Sequence, residues 1–509
     1  MISEINSCGL YGIDGFIVEV ETDISKGFPG FEIVGLPDNA VKESKERVRT
    51  AIKNSGIDFP VKKITVNLAP ADTKKEGSVY DFPIAVGILC CIGFIAQEKT
   101  EGAVFLGELS LDGRLKPVNG VLPMVMSAAQ KGFKKCFLPS ANATEAALVA
   151  DIDVYAVDNI ADIVSILNGR VIREKTFVDI DALFAVSDND LADFKDVKGQ
   201  ETVKRALEIA AAGMHNVLMI GPPGSGKTMM AKRFPSILPP LSFKESIEIT
   251  KIYSVSGLLK NKEALITKRP FRAPHHTISG SAMVGGGRIP RPGEVSLAGK
   301  GVLFLDELPE FQRNVLEELR QPLEDRTVSI SRVNGSMTYP ADFTMIASMN
   351  PCPCGYYGYS DKCTCSANQI SKYMSRISGP LLDRIDIQVE ASAVNYDELE
   401  NAPSGKTSAQ IRENVMRAHE IQLKRFKNDG IYFNSQLSAA QVEKYCHLGK
   451  AENELLKKAF ETMNFSARSY HKILKIARTV ADLDASENIT VNHIAQALQL
   501  RNLDRLKLS

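Results

Sequence analysis

Gly221-Pro222-Pro223-Gly224-Ser225-Gly226-Lys227-Thr228 fits the pattern G-x-x-x-x-G-K-[ST], and its surroundings decide the fold. Before it, Asn216 to Ile220 is an apolar run suited to a buried strand. After it, Lys227 to Phe234 can form a helix, which Pro235 ends. A strand, a glycine loop and a helix start in that order place backbone N–H groups around phosphates. Lys227 then reaches the β- and γ-phosphates of ATP, and the Thr228 hydroxyl holds Mg²⁺. Gly405-Lys406-Thr407 is superficially alike. Its required first Gly is Glu400, and no buried strand precedes it, so it reads as a surface loop.

Two more apolar runs complete the set. Gly301 to Glu307 (GVLFLDE) reads as a buried strand with Asp306 emerging at its C-terminal edge. There Asp306 can orient Mg²⁺ through water, and Glu307 can polarise the attacking water; phosphoryl transfer needs mainly such positioning and charge stabilisation. Phe343 to Met349 ends in Asn350, a polar tip fit to sit between the carboxylates and the γ-phosphate. Strands alternating with helices predict an α/β core with a parallel sheet over residues 197–395. From 396 to 509 the pattern is helical, as in Ser408 to Lys427, and predicts a separate helical subdomain. Residues 171–196 carry Asp179, Asp181, Asp188, Asp190, Asp193 and Asp196 and read as a linker. Residues 1–170 alternate strands (Gly15 to Thr22, Lys63 to Leu68, Val104 to Leu106, Lys135 to Leu138) with helices at Asn39 to Ser55 and Leu122 to Lys131. Phe82 to Ile92 reads as a buried helix or strand. This is an α/β module without a nucleotide loop.

The chain has 509 residues with 61 Lys plus Arg and 61 Asp plus Glu. A neutral balance excludes a protein that coats nucleic acid by bulk charge. Hydrophobic content of 44% and charged content of 24% exclude wholesale disorder. Met1 to Glu21 has no basic start and carries four acids, unlike a secretory signal. Phe82 to Ala96 is too short to cross a bilayer. A cytoplasmic protein without a membrane partner is expected. Nine Cys in a long chain of this kind argue against a disulfide framework. Cys352-Pro-Cys354 and Cys363-Thr-Cys365 form two C-x-C pairs, and four thiolates suit a structural Zn²⁺; reduced, unligated thiols are the alternative.

One stretch departs from the neutral average. Lys268 to Lys300 holds six basic residues (Lys268, Arg269, Arg272, Arg288, Arg291, Lys300) against Glu294, a local excess of five. It also carries Gly285-Gly286-Gly287, which lets a loop approach a ligand closely. Ser329 to Tyr339 has Asn334-Gly335 between strand-like flanks, a hairpin signal that puts Arg332 near the tip. Arg288, Arg291, Lys300 and Arg332 could therefore track a phosphate backbone. The competing reading is a solvated basic loop beside the acidic run Asp306 to Asp325.

With Leu381-Leu382-Asp383-Arg384-Ile385-Asp386 added, the sequence resembles the AAA+ ATPases of the magnesium-chelatase-like branch. Phe194 to Gln200 (FKDVKGQ), Phe271 to Thr277 (FRAPHHT), Pro290 to Glu294 (PRPGE), Asn350 to Gly355 (NPCPCG) and Ile377 to Arg384 (ISGPLLDR) resemble the YifB/ComM family over nearly the whole chain. The resemblance implies that Asn350 is sensor 1 and Arg384 an arginine finger acting on a neighbouring subunit. It makes Arg468, in the helix opened by Ala467-Arg468-Ser469-Tyr470, a sensor 2 in a helical lid. It further implies a homo-hexameric helicase promoting DNA branch migration in natural transformation, with single-stranded or branched DNA contacted by Arg288, Arg291, Lys300 and Arg332 and with recombination proteins as partners. A magnesium-chelatase-type motor that remodels a protein, and a Lon-like ATP-dependent protease, are the alternatives.

Gly107 to Arg114 (GELSLDGR) and Lys74 to Gly77 (KKEG) resemble segments of the Lon protease domain. Cleavage there needs a Ser nucleophile and a Lys base. The matching places fall at Val79 and near Leu122, so a Lon-like fold lacking the Ser–Lys dyad is expected.

Overall fold

Ile2–Tyr11 (β1) and Asp14–Ser25 (β2) pair antiparallel along their length and begin a mixed sheet. The computed structural model describes residues 2–185, 192–259, 263–287, 290–332, 335–359, 361–392, 405–463 and 466–501. Gly30–Val34 (β3), Lys63–Ala69 (β4), Ala103–Phe105 (β5), Lys135–Pro139 (β6) and Asp153–Val157 (β7) complete seven strands, in the order β3-β4-β2-β1-β5-β6-β7. In β4 the alternation Ile64, Val66, Leu68 turns one side into the core. The segment left open between helix and strand is a helix, Asp81–Cys91, and every one of its residues is buried. Its one acid, Asp81, is held by Arg47 Nε at 2.6 Å, by the Leu109 N–H at 3.2 Å and by the Ser44 hydroxyl. Burial pushes this carboxyl up, against the opposing pull of Arg47 and Ser44.

These elements belong to the first of two units, Met1–Val186 with Phe243–Thr267. The second is Ser187–Ser242 with Lys268–Ser509. The first unit thus takes in a segment that lies, in sequence, beyond the glycine loop. Its helix Phe243–Ser256 is fixed there by polar bonds. The Ser254 hydroxyl and the Leu122 N–H donate to the buried Glu145, and the Gly120 N–H donates to the Ser254 carbonyl at 3.0 Å.

The second unit is built on a parallel sheet of Val217–Ile220 (β8), Phe271–Arg272 (β9), Val302–Leu305 (β10), Thr344–Met349 (β11) and Ile387–Glu390 (β12). Their spatial order is β9-β10-β11-β8-β12, and every pairing is parallel. β8, β10 and β11 are buried at each residue, as expected of strands covered on both faces. Sequence neighbours β8 and β9 are separated by two strands, so a crevice opens at the carboxyl ends beside β8, where such sheets bind ligands.

The C-terminal helices do not build a core of their own among the described residues. Ile411 and Val415 of Ser408–Arg425, Ile473 and Leu474 of Ala467–Leu483, and Ile494 of Val491–Gln499 share one apolar cluster with Val217, Ile346 and Ile387 of the sheet. Polar bonds reinforce the join. Gln422 donates to the Ala212 carbonyl at 2.9 Å, and His215 Nε2 meets Thr479 Oγ1 at 2.8 Å. Thr407 caps the first of these helices in a reciprocal capping box with Gln410, so Gly405-Lys406-Thr407 leads into a helix cap.

Candidate functional site

The glycine loop leaves β8 and enters the helix Lys227–Arg233. Gly224 and Gly226 stand at φ +78° and +82°, conformations that let the loop fold back with its N–H groups inward. Lys227 is buried, and its ammonium donates to the carbonyls of Gly221 (2.8 Å) and Pro222 (2.9 Å), to Ser225 Oγ (3.3 Å) and to Asn350 Oδ1 (3.4 Å). Burial pushes this ammonium below its ordinary range, and the nearby Asp306 and Glu307 carboxylates work against that.

Asp306 follows β10 directly and accepts from the Thr228 hydroxyl at 2.8 Å and from the Ser348 hydroxyl on β11. Thr228, Asp306 and Ser348 thus offer hard oxygen donors at one point, a set that fits Mg²⁺. The loop N–H groups and Lys227 fit the phosphates of ATP. Mg²⁺ bound there would supply neutralisation of phosphate charge. Lys227 stands where it would take phosphate charge, Thr228 and Asp306 are hydrogen-bonded to each other at 2.8 Å, and Asn350 faces Lys227 at 3.4 Å.

Glu307 is the most exposed member of the set, with 57% of its side chain accessible, and holds a left-handed backbone at φ +53°. That conformation costs a non-glycine residue of order 1–3 kcal/mol and is stored at functional sites. His276 Nδ1 stands 3.9 Å from its carboxylate and stacks near His275, with centroids 4.1 Å apart. Neither Ser348 nor His276 was assigned to this site from the sequence. Ser348 lies one residue before the end of β11, the strand hydrogen-bonded to β8 and β10, and that placement was readable only once the strand order was known.

Arg384 and Arg468 are brought together away from the glycine loop. Both line a cavity of about 500 Å³, with Asn216, Glu324, Arg326, Asp386 and Lys472. Arg384 lies three residues before β12, whose first residue Ile387 pairs with Val217 at the start of β8. The glycine loop follows the end of β8. Four residues of strand at about 3.3 Å each put about 13 Å between the two ends. The Arg384 guanidinium donates to the Glu324 carboxylate, to the Arg320 carbonyl (3.2 Å) and to the Pro380 carbonyl (2.8 Å). Arg468 is exposed beside it. Asp386 anchors this region: burial opposes its ionisation, but Lys472 at 2.9 Å and His215 hold its carboxyl well below the usual range.

The basic stretch is less free than its sequence suggests. Arg269 is buried and donates to the carbonyls of Pro239 (2.6 Å) and Lys300 (2.5 Å). Arg272 forms a two-pronged pair with Glu294 at 2.7 Å each. Lys300, expected as a DNA contact, is paired with Asp342 at 2.8 Å, so a phosphate would have to displace a carboxylate. Arg291 is exposed in a short hairpin, Gly285–Gly286 against Arg291–Pro292. Arg288 lies outside the described residues. Thr327–Arg332 and Gly335–Pro340 form the second hairpin, with Arg332 opposite Gly335 at its tip; only the backbone of Arg332 is described.

In the first unit, Val79 and Leu122 are buried, and the Ser78 hydroxyl donates to the Glu108 carboxylate. Neither place can supply a nucleophile or a base. The four cysteine sulfurs at 352, 354, 363 and 365 lie within 4.8 Å of one another. Among the described residues, no helix is long and apolar enough to cross a membrane.

Comparison with known proteins gives the family. A family profile described as magnesium chelatase, subunit ChlI, matches residues 193–399, and two related ChlI profiles match 20–142 and 405–501. Competence protein ComM of Haemophilus influenzae is 44% identical over 499 residues, covering 97% of this chain and 96% of that protein. The chain belongs to the YifB/ComM family of magnesium-chelatase-like AAA+ ATPases. YifB of Escherichia coli is 41% identical over 507 residues, covering 99% and 98% of the two chains. Membership of the YifB/ComM family implies ATPase activity with ATP and Mg²⁺. Lon protease of Mycolicibacterium smegmatis is 24% identical over 166 residues, 30% of this chain, a weak likeness.

Proposed function

We propose that this YifB/ComM-family chain is an ATP-driven ring motor that moves on DNA, a homo-hexameric helicase promoting branch migration in natural transformation and recombination. The observation that carries the ring is the division of the ATP-site parts. The glycine loop, Asp306, Glu307 and Asn350 gather at the carboxyl end of β8, while Arg384 and Arg468 line a cavity near its other end. Each chain thus presents half a site on either side, and head-to-tail packing of identical chains completes it. Arg384 acts as the arginine finger and Arg468 as sensor 2, both on the neighbour's ATP. Glu307 activates water, and Asn350 senses the γ-phosphate.

The DNA reading is supported by the exposed Arg291 on a glycine hairpin, with Arg288 and Arg332 as companions and Lys300 as a weaker one. It is also supported by the name of the ComM relative, a competence protein. A Lon-like module in the first unit, without peptidase chemistry, serves assembly or partner contacts. Zn²⁺ at Cys352, Cys354, Cys363 and Cys365 completes the cofactors. A chelatase-type motor remodelling a protein partner is the second reading, favoured by the ChlI profiles. Three-strand and four-strand branch migration assays with ATP distinguish them. Product formation that stops in Glu307→Gln supports the helicase, and no product with either substrate rejects it.

A further inference from the structure

We propose that the four-cysteine loop is a zinc clamp on the ATP site, so that metal occupancy sets the affinity for nucleotide. This rests on the Zn²⁺ reading of the four cysteines and adds a function to it. The sulfur separations are 3.3 Å (Cys352 to Cys354), 3.8 Å (Cys352 to Cys363) and 3.6 Å (Cys354 to Cys363). A tetrahedral ion with Zn–S bonds of about 2.3 Å spaces its sulfurs by about 3.8 Å. A disulfide would need about 2.05 Å. These separations, with all four sulfurs within 4.8 Å of one another, fit thiolates gathered around one ion and not a disulfide. The Tyr357 N–H, pointing at Cys352 Sγ at 3.4 Å, supplies a supporting contact of the kind that orients metal ligands.

The loop is joined to the ATP site at two places and anchored at a third point beyond it. Cys352 follows Asn350 by two residues, and Asn350 faces the Lys227 ammonium at 3.4 Å. Gly355, within the loop, lies against the glycine loop itself: a Cβ on it would come within 2.6 Å and 2.7 Å of Pro223 ring carbons and 3.9 Å of Asn350 Cγ. Gly355 also stands at φ +88°, held by its N–H bond to the Cys352 carbonyl at 3.0 Å. At the far end, Cys365 precedes Ser366, which caps the helix Ala367–Met374 and so gives the metal loop a rigid base. The backbone that bears two of the thiols thus lies against Pro223 of the glycine loop. Closing the four sulfurs on one ion fixes that contact, and releasing the ion frees Pro223 and Asn350 together.

The test uses full-length protein purified under reducing conditions. Zinc is measured by mass spectrometry and nucleotide affinity with a fluorescent ATP analogue, before metal removal, after it, and after Zn²⁺ is returned. The expected result is about one zinc per chain and a loss of affinity of about tenfold on stripping, reversed by Zn²⁺. Gly355→Ala provides a second arm that keeps all four thiols: zinc content stays and affinity falls about tenfold through the clash and the strained φ. Absence of zinc from the fresh protein overturns the site itself. Zinc present, with affinity unchanged on its removal, overturns the clamp and leaves the metal site standing, whatever Gly355→Ala does.

Discussion

Arg384→Ala separates a ring ATPase from a self-contained one. In the folded chain the Arg384 guanidinium is held by Glu324 and two carbonyls, and only 13% of the side chain is accessible. Glu324 is 54% accessible, so losing this pair costs the fold at most about 1 kcal/mol. The substitution should therefore leave a folded subunit. About 13 Å of strand lies between the Arg384 end of β8 and the glycine loop, so the subunit's own nucleotide affinity should stay within about twofold. Hydrolysis should fall about a thousandfold, the lower range for an arginine finger, or roughly 4 kcal/mol of barrier. The assay is steady-state ATPase beside nucleotide binding. Mixing sharpens it: Lys227→Ala lacks the phosphate lysine but keeps Arg384, and Arg384→Ala is the reverse. Equal mixing places a complete pair at about one interface in four, so activity should return to about a quarter of wild type. Failure of mixing to restore hydrolysis, or equal losses of affinity and rate in Arg384→Ala, would refute the reasoning.

Three further outcomes follow from the geometry. Asp306→Asn removes the charge that organises Thr228 and Ser348, so Mg²⁺-dependent hydrolysis should drop at least about a hundredfold while Mg²⁺-free nucleotide binding holds; an active variant would move the metal site elsewhere. Arg47→Ala strands the buried Asp81 carboxylate and should cost about 3–5 kcal/mol in denaturant unfolding of the first unit, against under 1 kcal/mol if the pair is dispensable. The Asp386 carboxyl is depressed in the fold, so its stabilisation is complete above the unfolded value of about 3.9 and is lost as pH falls below it; Asp386→Asn should flatten the acid limb of the stability curve.

The strands that frame the candidate ATP site are legible in the sequence because buried parallel strands read as short apolar runs. Asp306, Asn350 and the glycine loop follow strands that the structure bounds within a residue or two of the apolar runs. Asn334-Gly335 likewise marked a real hairpin. Strand β1 was not legible, because its inward residues include Ser3 and Ser7. They satisfy themselves on the carbonyls of Gly87 (2.8 Å) and Phe105 (2.9 Å), which erases the apolar alternation. The pairing of Lys300 with Asp342 spans 42 residues and depends on strand order, so the local charge count overstated the basic surface. The placement of the helix Phe243–Ser256 in the first unit rests on long-range bonds to Glu145 and Gly120, which no local pattern encodes.

If the chain is a DNA motor, as proposed, its ATP hydrolysis is coupled to DNA. The most direct measurement is the ATPase rate of the full-length protein without DNA and with single-stranded, duplex and branched DNA, with Glu307→Gln as the silent control. A DNA motor shows a rate raised by at least one of these DNAs and no turnover in the control. A rate indifferent to all three would contradict that reading.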